Sequence, residues 1–158
     1  MAFILSKQLN LDSDRAFESY KNFLEANKDF FPPQAFALAT SDWYYNPQDH
    51  QCPHDGWLEN IIIKEPATGT QNEIRKTSLR IRLLGAYHDG FIEFFYPQVF
   101  SYSLNSMNCE KGHSDWLYDE FRLSSAGRLI HEIEWSGYKS SGNWVIEASD
   151  VEFKWLPK

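Results

Sequence analysis

Two very short interruptions in a long run of strand-like sequence constrain this chain more than any other feature. From Trp57 onward, β-branched and aromatic residues recur with period two, the spacing at which a strand puts alternate side chains on one face. The run breaks at Asp89-Gly90 and again at Ser125-Ala126-Gly127. Asp-Gly suits a two-residue type I′ hairpin loop, and three residues ending in Gly suit a bulged hairpin. Loops this short join antiparallel neighbours, because a parallel crossover needs a dozen or more residues. The pattern predicts strands over about 57–65, 75–88, 91–104, 115–124, 128–136 and 143–155.

The loops also set a register. The first places His88 opposite Phe91 and Gly85 opposite Phe94; the second places Leu123 opposite Leu129, Phe121 opposite His131, Asp119 opposite Ile133 and Leu117 opposite Trp135. In the last strand Trp144, Ile146 and Ala148 share one parity, while Val151, Phe153 and Trp155 share the other. One extra residue near Ser149 keeps all six on the inner face, which predicts a β-bulge there, with Asp150 as a turn residue or a carboxylate aimed at a site.

Ahead of the strands, residues 12–29 predict an amphipathic helix. Asp12 or Ser13 can cap it, and Phe17, Tyr20, Phe23 and Leu24 recur at helical spacing. Pro32 and Pro33 end it. The stretch Ala35 to Thr40 is too short for its period to separate a strand from a helical turn. The predicted class is therefore α+β: one N-terminal helix packed on a mostly antiparallel, curved meander of six to seven strands, either open or rolled into a partly closed barrel. A length of 158 residues fits a single domain spanning 1–158.

Composition narrows function by exclusion. With 15 Lys plus Arg against 22 Asp plus Glu the net charge is −7, a field that repels a phosphate backbone, so nucleic acid is not an expected partner. No apolar run approaches the length of a membrane helix, so no membrane partner is expected. Two cysteines and no export signal point to reduced thiols and a cytoplasmic location. Phosphate-binding loops, dinucleotide fingerprints, nucleophile elbows and helical zinc-protease motifs are all missing, so the reading leans away from an enzyme.

Three functional expectations remain. In the first, Glu120 faces Glu132 and Tyr118 faces Glu134 on the outer face of the second hairpin. Like charges across a ladder call for a cation, which Arg80, Arg82 and Arg122 could supply, or for a docked partner. The chain would then be a small acidic interaction module whose glutamates Glu120, Glu132 and Glu134, with nearby aromatics, bind or inhibit a protein partner, a basic one by charge.

In the second, Asp119 and His131 lie diagonal to each other on the inner face. They form either an acid-base pair in a small-molecule pocket, which would make the chain a ligand-binding domain or enzyme, or a self-satisfied core pair. In the third, His50, Cys52 and His54 alternate in a loop, and Cys109 and His113 could complete a metal site, for which zinc is the suited ion.

Overall fold

The computed structural model describes residues 2–158 and confirms an α+β arrangement of three helices and a seven-stranded antiparallel sheet. The helices are α1 (Ser6–Leu9), α2 (Ser13–Ala26) and α3 (Pro33–Ala39). The strands are β1 (Trp57–Lys64), β2 (Thr77–Leu84), β3 (Gly90–Met107), β4 (Asp115–Leu123), β5 (Leu129–Gly137), β6 (Ser140–Ala148) and β7 (Glu152–Pro157).

Helix α2 forms as its sequence requires. The Asp12 side chain accepts from Arg15 N, and Ala16, Tyr20 and Leu24, four residues apart, are the buried positions. The undecided segment after the prolines is helix α3, with Pro33 at its first position, where the missing N–H costs nothing.

Strand order is β1-β2-β3-β6-β5-β4, with β7 also paired to β3. The 18-residue β3 joins the two halves: Gly90–Phe95 pairs with β7 and Val99–Met107 with β6. Because β2 pairs with β3 at both Phe91–Phe95 and Val99, β6 and β7 lie in line along the other side. They amount to one strand broken at Ser149–Val151, where Ser149 N still donates to Gln98 O. Trp144, Ile146, Ala148 and Val151 are buried, with Phe153 and Trp155 packed against the core. The inward set expected from the parity switch is present.

The sheet is strongly curved but not closed. Its edges touch at one end, where Asp55 N donates to Trp116 O at 2.8 Å and Trp116 N to Gly56 O at 3.0 Å. Elsewhere α2 covers the β4 edge. The Tyr20 hydroxyl donates to Phe121 O and accepts from Phe121 N, at 2.9 and 2.8 Å, which satisfies backbone groups an edge strand leaves open.

Two expected registers are corrected. The second hairpin keeps its pairing from Leu123–Leu129 through Tyr118–Glu134, but a bulge follows, so Trp116 and not Leu117 stands opposite Trp135. The first turn is longer than two residues: Leu84 pairs with Phe91, Ile81 with Phe94, and Gly85 N donates to Gly90 O. His88, at φ 59°, takes the left-handed position assigned to Asp89-Gly90. Gly90 is required for another reason, since a Cβ there would lie 2.3 Å from the Trp155 ring. The slip is four residues, so the inward parity of β2 and β3 is unchanged.

Candidate functional site

Asp119 on β4 and His131 on β5 point into the core, diagonal to each other as the register requires, and both are buried. His131 Nε2 lies 2.7 Å from Asp119 Oδ2, and its Nδ1 lies 2.6 Å from the Tyr96 hydroxyl. Burial raises the Tyr96 phenol well above its ordinary pKa. It keeps its proton, and His131 Nδ1 is its hydrogen-bond partner. An ionised carboxylate only accepts, so the hydrogen between His131 and Asp119 sits on Nε2, and in the neutral ring Nδ1 accepts from Tyr96. Asp119 also accepts from the Tyr44 hydroxyl at 2.7 Å and from Trp116 Nε1 at 3.1 Å. Phe121 stacks on the His131 ring at 4.2 Å, and Phe94 and Trp116 close in from other sides.

The two members of the pair differ in access. His131 is sealed, whereas Asp119 reaches the wall of a cavity of about 330 Å3 between α1, α2, the loop after α3 and β4. Phe17, Tyr44, Tyr45, Cys52, Trp116 and Asp119 are among its lining residues. Burial also raises the Tyr44 phenol well above its ordinary pKa, so it donates to Asp119 without competing for the negative charge. Among the described residues no Lys or Arg pairs with Asp119. Tyr45 presents a partly buried ring to the same space, and its hydroxyl is buried without a hydrogen-bond partner. Tyr44 and Tyr45 carried no sequence signal as site residues, because they reach the sheet only once the loop folds back.

The acidic ladder is used inside the molecule. Glu120 does face Glu132, and Arg122 bridges them, with Nη1 2.8 Å from Glu120 and Nη2 2.6 Å from Glu132. Glu120 is fully buried because the N-terminal segment crosses it: Phe3 N and Ile4 N donate to its carboxylate at 2.8 Å. Glu134 accepts from the backbone and hydroxyl of Ser6, at the start of α1, and Asn143 donates to Glu132. Arg80 and Arg82 take no part. They pair with Glu93, and Arg82 also with Glu59, and they lie over the rings of Phe95 and Phe91.

The expected metal ligands do not converge. His50 pairs with Asp89 and stacks on Tyr87, and His54 Nδ1 bonds the Leu117 carbonyl. Cys52 is buried, with burial pushing its thiol up to about 12. Cys109 is exposed, and His113 bonds Ser106 and the Ser114 carbonyl. Each side chain in the 49–55 loop turns to a different neighbour, so shared parity in sequence does not become a shared focus. Among the described residues no three His, Cys, Asp or Glu side chains gather as a zinc site requires.

Among the described residues no helix is long and apolar enough to cross a membrane. No protein-family model, curated protein or solved structure matches the chain, so its functional reading rests on this geometry.

Proposed function

We propose that the protein is a ligand-binding domain for a small organic molecule carrying a protonated amine or another N–H donor, seated in the cavity that ends on Asp119. The observation that carries this is a buried carboxylate that accepts from Tyr44, Trp116 and His131 and has no Lys or Arg beside it among the described residues. A carboxylate offers about four acceptor positions, so one remains for a ligand. An uncompensated buried charge is costly, and an ammonium group offsets that cost. Aromatic walls from Phe17, Tyr44, Tyr45 and Trp116 favour a cation over their faces. The cavity volume lies at the small end of the ligand-pocket range, which limits the molecule to a compact body. His131 and Tyr96 then orient Asp119 and do not touch the ligand.

Docking of a basic protein on Glu120, Glu132 and Glu134 is the alternative, and the geometry supports it less. A partner would have to displace both Arg122 and the N-terminal segment.

The test is a binding titration of compact aryl-alkyl amines against their isosteric alcohols, read by tryptophan fluorescence and chemical-shift perturbation. Amines should bind at least about tenfold more tightly than the matched alcohols. Phe17→Trp, which fills the mouth without touching the buried network, should abolish binding. Equal affinity for amine and alcohol, or unchanged binding in Phe17→Trp, would sink the proposal.

A further inference from the structure

At the far end of the sheet, three side chains from separate segments meet at one hydroxyl. Ser106 lies near the end of β3, opposite Gly142 on β6; Trp144 comes from β6, and His113 from the β3–β4 connection. Trp144 Nε1 lies 3.0 Å from Ser106 Oγ, Ser106 Oγ lies 3.0 Å from His113 Nε2, and His113 Nδ1 lies 2.8 Å from the Ser114 carbonyl oxygen.

For a neutral imidazole the proton positions follow by elimination. A carbonyl oxygen only accepts, so Nδ1 carries the hydrogen of the neutral ring and Nε2 presents its lone pair. An indole N–H only donates, so Ser106 Oγ accepts from Trp144 and keeps its own hydrogen for Nε2. The imidazole is held by aromatic edges as well, from Trp135 at 4.5 Å and 88° and from Trp144 at 5.5 Å and 68°. Ser106 itself is exposed. Its neighbour across the ladder leaves the hydroxyl clear, because a Cβ at Gly142 would stand 2.8 Å from Asn105 O and 3.3 Å from Ser106 Oγ.

A nucleophile bonded to a base, the base oriented by a third group, is the arrangement that activates serine for acyl transfer. We propose that Ser106 and His113 are a catalytic dyad that accepts short-chain acyl esters, with the Ser114 carbonyl and Trp144 as positioning groups. The Ser106 Oγ–carbon bond forms as the hydroxyl proton passes to His113 Nε2. The bond from carbon to the leaving oxygen then breaks, and that oxygen takes the proton. Water reverses the sequence: its oxygen bonds the acyl carbon, its proton goes to Nε2, and the Ser106 Oγ–carbon bond breaks as Oγ recovers the proton. No oxidant, metal or further reactant is needed. Two residues further along the chain, Asn108 begins the lining of a separate recess of about 460 Å3, completed by Glu110, Lys111, Tyr138 and Lys139. The proposal is independent of the cavity at Asp119.

The probe is p-nitrophenyl acetate, with nitrophenolate release followed by absorbance and the acetylated residue mapped by peptide mass spectrometry. The expected result is one acetyl group on Ser106 in acid-quenched samples, with nitrophenolate release at least about 10²-fold faster than in Ser106→Ala or His113→Phe, the scale of a lost general base. His113→Phe keeps an aromatic ring against Trp135 and Trp144, and imidazole added to His113→Ala should restore part of the rate. Mapping of the unaltered protein decides the site even if a variant misfolds. Acetyl found only on lysines or on Cys109, nitrophenolate release in Ser106→Ala as fast as in the unaltered protein, or Ser106 labelling at an unchanged rate in His113→Phe each overturns the dyad.

Discussion

Cys52 and Cys109 are both free thiols, yet their surroundings make them different reagents. Cys109 is exposed, in the loop after β3. Cys52 is 3% exposed in the wall of the Asp119 cavity, and burial is the main reason its thiol is pushed up to about 12, with the Asp119, Asp49 and Asp55 charges adding to the shift. The thiolate is the reactive form, so at pH 8 only on the order of 10⁻⁴ of Cys52 is ready to react. Iodoacetamide at pH 8 should therefore alkylate Cys109 and leave Cys52 unmodified until denaturant is added, as peptide mapping would show. Equal labelling of the two would mean that the loop around Cys52 opens on the time scale of the reaction. Cys52 buried in that wall, with His50 on Asp89 and His54 on the Leu117 carbonyl, is why the histidine-cysteine alternation does not converge as a ligand set among the described residues.

Among the elements, α3 depends most on a distant residue. Pro32 precedes it and gives no side-chain cap, so its first amides need an outside acceptor. Asp150, in the break between β6 and β7, supplies one: its oxygens accept from Gln34 N at 3.1 Å and Ala35 N at 3.0 Å, and also from Val151 N at 2.8 Å. Asp150→Ala should lower stability by about 1–2 kcal/mol, the usual cost of a lost N-cap. It should shift the urea midpoint without changing the slope. An unchanged midpoint would show that water serves these amides equally well. The parity switch at Ser149 made the strand break legible, because buried alternation is dictated by the sheet itself. Helix α3 was not legible: its apolar run is too short to carry a period, and its cap lies 115 positions away. The first hairpin was misread because Asp-Gly is a strong local turn signal, while the contact that requires Gly90 is with Trp155 at the other end of the chain.

For the molecule as a whole, what could be read in advance was what one sheet register determines. Asp119 and His131 were placed together because a single hairpin fixes both, and Glu120 was placed against Glu132 by the same pairing. Tyr44 above Asp119, the N-terminal segment over Glu120, and His113 at Ser106 all join segments that no local period relates. Such joints leave a collective mark on stability. Tyr20, Tyr44 and Tyr96 are at most 2% exposed, tie α2, the loop after α3, and β3 to the β4–β5 hairpin, and have phenols raised well above the ordinary range by burial.

A raised folded pKa contributes stability that is fully present below the unfolded value near 10 and is lost as pH climbs above it. Each such group costs about 1.4 kcal/mol per pH unit in that window, so three together remove roughly 4 kcal/mol per unit. With a stability of about 5–15 kcal/mol to lose, the protein should unfold cooperatively within a few pH units above 10. Loss of near-UV circular dichroism should coincide with the tyrosinate absorbance of these three residues. Removing one phenol by Tyr96→Phe should make the alkaline transition shallower. Tyrosinate absorbance that accounts for all eight tyrosines while the near-UV signal persists would show instead that these hydroxyls reach solvent in the folded state.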